Sequence, residues 1–247
     1  MFKKVFTTLA FCLLYSSTIL AQNWDASEPA SYHSSIVRVT GDGYSGSGTV
    51  VKYIKDSKHE GYYIGWVLTA SHVVRSKETL FTLYFNNGKV TENGTVVVKK
   101  NDEADSFNDL AIIRALIPKD IVPMEISTED IPMGAEVELG GYATGQLRHW
   151  TAKYAGECMN HDGHIVFTWG IQGDSGGPII YNGKLVGVIC FGTGVGRYQD
   201  TRRAIVCPVY GSNVERIDNI IKSQGRPFGR SFFIDWLTVT IVTTRIR

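Results

Sequence analysis

Short apolar runs rich in Val, Ile, Tyr and Thr recur along the chain, with turn residues between them. In the first half they cover 35–40, 46–54, 62–69, 79–85, 89–99 and 110–115; in the second, 136–140, 147–154, 164–169, 179–181 and 184–191. Each has strand length and the β-branched or aromatic content of a strand. Asn86-Asn87-Gly88, Asn93-Gly94 and Asn182-Gly183 predict turns, because Asn and Gly accept the positive φ of a tight hairpin. The glycine-rich run 41–48 predicts a bulged hairpin; it lacks the Gly-Lys-Ser/Thr ending of a phosphate loop and leads into β-branched residues. One segment has a helical period instead. Over 212–221, Ser212 and Glu215 form a capping-box pattern, and Val214, Ile217 and Ile221 line one face. The pattern predicts an all-β chain closed by a C-terminal helix.

Between the two sets of strands, residues 118–133 contain Pro118, Pro123 and Pro132 and little alternation, which reads as a linker. It separates a first block, 35–117, from a second, 134–224. With 43% hydrophobic residues in 247, the chain can bury a full core, as one large β domain or two small ones. Residues 22–34 read as a polar arm. The tail, 225–247, has an apolar run that carries Asp235 and is about half the length of a membrane span, and it has no assigned role.

Net charge is +1 and no dense basic run occurs, so nothing points to nucleic acid. Lys3-Lys4, the apolar run 5–15 and a small residue at Ala21 predict a signal peptide over 1–21, too short for a stable span, and hence a secreted or periplasmic protein. Cleavage after Ala21 leaves Cys158, Cys190 and Cys207, so at least one stays unpaired. A Cys158–Cys207 bridge is one open pairing, whereas Cys190 sits in an apolar run and reads as a small buried hydrophobe.

The chemistry gathers at Gly173-Asp174-Ser175-Gly176-Gly177-Pro178. A serine among glycines is often only a turn. Here the bare Gly173 leaves room for a substrate carbonyl, and the N–H groups of Gly173 and Ser175 are candidates for an oxyanion hole. A serine hydroxyl needs a base, and the base needs an orienting group. Thr69-Ala70-Ser71-His72-Val73-Val74 sets a histidine at the end of an apolar strand. Asn108-Asp109-Leu110-Ala111-Ile112-Ile113 sets an aspartate at the mouth of another. Asp102 and Asp105 are rival acids, but they lie in a solvated loop with no strand directly behind.

These three segments, in the order His, Asp, Ser, resemble the trypsin-like serine peptidases. Their wording is nearer the bacterial HtrA-like and glutamyl-endopeptidase-like branches, without the PDZ domain that many HtrA-like proteins carry. The resemblance covers roughly 34–224 and implies two antiparallel β-barrels with the active site between them. It implies a secreted serine endopeptidase acting on proteins or peptides, with His72, Asp109 and Ser175 catalytic and an acyl-enzyme intermediate. It also implies a substrate pocket walled by Trp169, Gln172, Cys190, Phe191 and Gly192. Trp169 stands where enzymes that cut after Lys or Arg carry an aspartate, so no Lys/Arg preference is expected. A new Ile-Val amino terminus, which activated relatives bury against the aspartate before the serine, is not evident: Ile36-Val37 belongs to the first predicted strand. An internal cation such as Arg148 is expected to pair with Asp174 instead.

The alternative is a non-catalytic peptidase homologue that binds a partner, although such proteins usually lose a triad member. An esterase of the Gly-x-Ser-x-Gly type would need its Asp and His after the serine, and that order is absent. No cofactor and no metal is expected. Cys158, His161 and His164 are of ligand type, but their spacing is atypical for structural zinc. His33, His59 and His149 read as surface residues.

Overall fold

The chain turns back on itself at Gly43, at Asn87-Gly88 and at Asn182-Gly183, and antiparallel pairing follows from these tight connections. A computed structural model describes residues 31–41, 43–55, 58–74, 80–99, 109–143, 145–158, 163–168, 171–192, 204–209 and 212–224. The Trp169 and Cys158/His161/His164 readings, the signal peptide, Asp102, Asp105 and the tail lie outside the residues or side chains so described.

The first six strands are β1 (Ile36–Gly41), β2 (Tyr44–Ile54), β3 (Tyr62–Thr69), β4 (Phe81–Phe85), β5 (Val90–Lys99) and β6 (Ala111–Pro118). They close into a barrel in the order β1-β2-β3-β6-β5-β4, with β4 pairing back onto β1. The second six are β7 (Glu136–Gly141), β8 (Arg148–Cys158), β9 (Gly163–Phe167), β10 (Pro178–Tyr181), β11 (Lys184–Gly192) and β12 (Ala204–Pro208). They close as β10-β11-β12-β9-β8-β7, with β10 pairing onto β7. A helix, α1 (Ser212–Gln224), ends the described chain. The all-β, two-barrel expectation holds.

Several strands are covered on both faces. In β1, Ile36, Val37 and Val39 are fully buried, and in β3 so are the consecutive Trp66, Val67 and Leu68. Burying an Ile, Leu or Phe side chain contributes roughly 1.5–3 kcal/mol, so these apolar strands are held firmly in place. The second barrel has its own smaller core around Val137, Leu139, Val166, Ile179, Val186 and Ile189. Its other apolar face, with Val188 and Val209, joins the first core together with Ile217 and Ile221 of α1. The helix thus docks across the seam, and Lys52 Nζ donates to Asp218 Oδ1 at 3.0 Å from β2. Among the described residues no helix is long and apolar enough to cross a membrane.

Three expectations are corrected. Asn93-Gly94 lies inside β5, where the register against β4 shifts between Phe81↔Gly94 and Leu83↔Thr91. It marks an irregularity in the ladder that the same residue types can also serve. The 41–48 run is a hairpin with unbroken register from Ile36↔Thr49 to Gly41↔Tyr44, so its bulge is absent. His33 is 3% exposed, its ring stacked 4.5 Å from that of His149 and its Nε2 3.5 Å from Glu138.

Candidate active site

His72 sits in a single 3-10 turn, Ser71–Val73, that begins directly after β3. Ser71 and Val73 are buried and pin the turn, so the imidazole between them is left half-exposed at the barrel's rim. Asp109 stands just before β6, the strand paired with β3 along its whole length, and the shared register brings the two residues together. Asp109 Oδ1 accepts the His72 backbone N–H at 2.9 Å, and Oδ2 lies 2.6 Å from Nδ1. An ionised carboxylate can only accept, so Nδ1 carries a proton, and the tautomer this selects for a neutral imidazole has its lone pair on Nε2.

Ser175 lies in the turn between β9 and β10. Two contacts bring this turn to the first barrel. The Ser47 N–H of β2 donates to the Ser175 carbonyl oxygen at 2.8 Å. A Cβ at Gly46 would lie 2.7 Å from Val73 Cγ1 and 2.9 Å from that same oxygen, so the chain beside His72 and the chain at Ser175 converge on one glycine. The Ser175 hydroxyl donates to the Cys190 carbonyl oxygen at 3.2 Å, and among the described residues it makes no hydrogen bond to His72.

The backbone of this turn is almost fully committed. Asp174 N–H donates to Ile171 O, Gly176 N–H to Ile189 O, and Gly177 N–H to Asp174 O. Among the described residues, the N–H groups of Gly173 and Ser175 have no acceptor. Those two donors are the pair singled out from the sequence, and a buried or half-buried N–H with no partner is rare enough to require a reason. Gly173 has φ +104° and Gly176 φ +86°, backbone that favours glycine. A Cβ at Gly176 would also collide with Ser47 O and Thr69 Oγ1.

Asp174 is wholly buried, and its carboxylate is held by Arg148. Arg148 Nε donates to Oδ1 at 3.0 Å, Nη2 donates to Oδ2, and Oδ2 also accepts the Ile171 N–H at 3.0 Å. The guanidinium lies over the Trp150 ring at 4.2 Å. This two-pronged pair is the strong form of a charged hydrogen bond, and it fixes the turn from inside. The cation expected at Arg148 is found there, and Ile36-Val37 is buried in β1.

The proposed pocket residues are placed unevenly. Gln172 is exposed in the turn before Ser175, while Phe191 and Gly192 lie on β11 against Ile205 and Ala204 of β12. Cys190 needs correction as a side-chain contact: it is fully buried, and only its carbonyl reaches Ser175. Burial, then Cys207, push its thiol well above the usual range, which disqualifies it as a rival nucleophile. Cys207 is likewise a buried thiol, so the Cys158–Cys207 bridge is not formed.

One residue of the site escaped the sequence reading: Ser47, buried in β2 and bonded to the turn at several points. A serine between Gly46 and Gly48 was its only signal.

No curated protein sequence matches the chain. Among solved structures it is similar in fold to the Rv3671c protease from M. tuberculosis in its active form, with TM-score 0.57, 22% identity and coverage of 81% of this chain and 86% of that one. An inactive form of the same protease, a serine-to-alanine mutant, gives TM-score 0.56 and 23% identity over 81% and 92% of the two chains. The serine endoprotease from Yersinia pestis gives TM-score 0.56 and 19% identity, over 79% of this chain and 68% of that one. The family model for the trypsin-like peptidase domain matches residues 46–188, more than half of the sequence and the stretch that holds all three candidate residues. With the double barrel and the turn around Ser175 beside it, that match places this chain in the trypsin-like peptidase domain family.

Proposed function

We propose that the hydrolysis expected of a serine endopeptidase is carried out here by Ser175, His72 and Asp109. The observation that carries this reading is the pair of N–H groups on Gly173 and Ser175 that find no acceptor among the described residues, in a turn where the amides of Asp174, Gly176 and Gly177 are bonded. Donors held ready at the place where negative charge develops each lower the barrier by about 3–4 kcal/mol.

The Ser175 hydroxyl turns from Cys190 O towards His72, and Nε2 takes its proton as Oγ bonds to the substrate's carbonyl carbon. The carbonyl oxygen becomes an oxyanion between the two free N–H groups. Asp109 holds Nδ1–H and stabilises the imidazolium. His72 then gives its proton to the amine as the C–N bond breaks, leaving an ester on Ser175. Water, deprotonated by His72, attacks that ester and restores the enzyme. Ser175→Ala is expected to lower kcat by on the order of a millionfold with the melting temperature unchanged. Undiminished peptide cleavage by that variant overturns the assignment.

Export belongs to the same proposal and rests on the 1–21 pattern of Lys3-Lys4, apolar run and Ala21. Amino-terminal sequencing of the protein recovered outside the cytoplasm is expected to start at Gln22; a start at Met1 contradicts it.

A further inference from the structure

We infer that Ser47, on the opposite barrel from Ser175, is a positioning residue that holds the oxyanion-binding amides in their working orientation. The inference rests on the reading of Ser175 as the nucleophile.

Ser47 is fully buried, and every polar atom it owns is used. Its N–H donates to Ser175 O at 2.8 Å and its carbonyl oxygen accepts the Thr69 hydroxyl at 2.7 Å. Its hydroxyl donates to Gly173 O at 2.8 Å and accepts the Tyr142 N–H at 2.9 Å. Thr69 ends β3, three residues before His72, and Tyr142 follows β7. A single residue therefore joins the strand end that leads to the imidazole, the second barrel and the turn bearing the nucleophile, and its side chain makes the last two of these links.

The direction of these bonds matters more than their number. A peptide group is planar, so fixing its C=O fixes the N–H on its other side. The peptide between Gly173 and Asp174 is gripped at both ends, its oxygen by the Ser47 hydroxyl and its N–H by Ile171 O. With that plane fixed and Gly173 at φ +104°, the preceding N–H has one direction available. The peptide between Asp174 and Ser175 is fixed through Asp174 O, which accepts the Gly177 N–H. The peptide after Ser175 is held by the Ser47 N–H and by Ile189 O.

Of all these grips, the bond to Gly173 O is the one made by a side chain of the first barrel. Without it the peptide between Gly173 and Asp174 keeps only its N–H anchor. Glycine at 173 then opposes little barrier to rotation about its own φ and ψ, so the preceding peptide, between Gln172 and Gly173, is free to turn its N–H out of the oxyanion site and its carbonyl oxygen towards it. A carbonyl oxygen there would repel the oxyanion. Ser47 touches neither substrate nor reacting atoms; it acts through the backbone of Gly173.

The test reads phosphonylation of the full chain by a fluorophosphonate, which needs no knowledge of the preferred peptide. The saturable reaction is split into the probe's binding constant and the maximal rate, per active site titrated to completion. Ser47→Ala is expected to lower the maximal rate by about 10- to 100-fold, less than or equal to the loss of one oxyanion donor, with the binding constant unmoved. Ser47→Thr, which keeps the hydroxyl, is expected to recover most of the rate. A purely structural serine would lower the melting temperature and the titratable fraction while leaving the rate per titrated site intact. That pattern, or a Thr variant no faster than Ala, overturns the inference. Should Ser47→Ala fail to fold, Ser47→Cys, a weaker donor, carries the test: a lower maximal rate at equal binding supports it, and an unchanged rate overturns it. If the unaltered chain takes up no probe, the nucleophile reading fails and this inference with it; if it reacts normally and the variants match it, only this inference falls.

Discussion

Each barrel carries one buried aspartate at the site, and the two are used in opposite ways. Asp109 in the first barrel faces His72, whose side chain is 40% exposed. Asp174 in the second is 1% exposed and is matched by Arg148, itself 13% exposed. Histidine changes charge in the physiological range and arginine does not. In the proposed mechanism the first carboxylate therefore serves a partner that gains and loses a proton, at the edge where substrate would arrive. The second is neutralised permanently in the interior and holds a turn still. Where a charge must respond, it is left near water; where it must only hold, it is sealed with a two-pronged partner.

The comparison is broken most sharply by paired substitutions. Asp109→Asn is expected to lower kcat by about 10⁴-fold, because the amide no longer enforces the tautomer with a lone pair on Nε2, while the melting temperature stays close to that of the parent. Arg148→Ala leaves Asp174 buried without its cation and is expected to cost about 3–5 kcal/mol, read as a marked fall in melting temperature, with activity lost alongside. Arg148→Lys is expected to recover only part of this, since an ammonium cannot supply the fork. If Asp109→Asn destabilises as much as Arg148→Ala, or Arg148→Ala leaves both stability and activity intact, the two carboxylates do not divide the labour as described.

A smaller effect is expected at His33. Burial and the nearby His149 lower its pKa from the ordinary 6.5, against a weaker pull upward from Glu138. The folded chain then takes up a proton less readily than the unfolded one. Stability from this site is fully present above 6.5 and is lost as pH falls from there towards the lowered value. His33→Gln is expected to flatten the acid side of the stability profile by a small amount. Melting curves from neutral to mildly acidic solution check it, and a parallel profile for the variant contradicts it.

Much of this was legible from residue order. Alternation placed eleven of the strands now seen, since β12 alone was missed. That strand, Ala-Ile-Val-Cys-Pro, has no alternation and ends in proline, so nothing local sets it apart from a loop. The Asn182-Gly183 turn was readable because Asn182 at φ +50° and Gly183 at φ +74° need those residue types. The pairing of Arg148 with Asp174 was suggested by the resemblance, which implies a buried cation against the aspartate before the serine. His33 was misread because its burial comes from His149 and Glu138, distant in sequence. Ser47 was silent for a deeper reason. Its hydroxyl bonds to backbone atoms 95 and 126 residues away, and backbone partners leave no mark in a sequence.

The central claim is that the hydroxyl of Ser175 is the group made nucleophilic by this arrangement. Its most direct test is the intact mass and peptide map of the chain after exposure to a fluorophosphonate at neutral pH. The account predicts one adduct per chain, on Ser175, and none when the Ser175→Ala variant is treated in the same way. An unmodified parent chain, or an adduct mapping to any other residue, would contradict it.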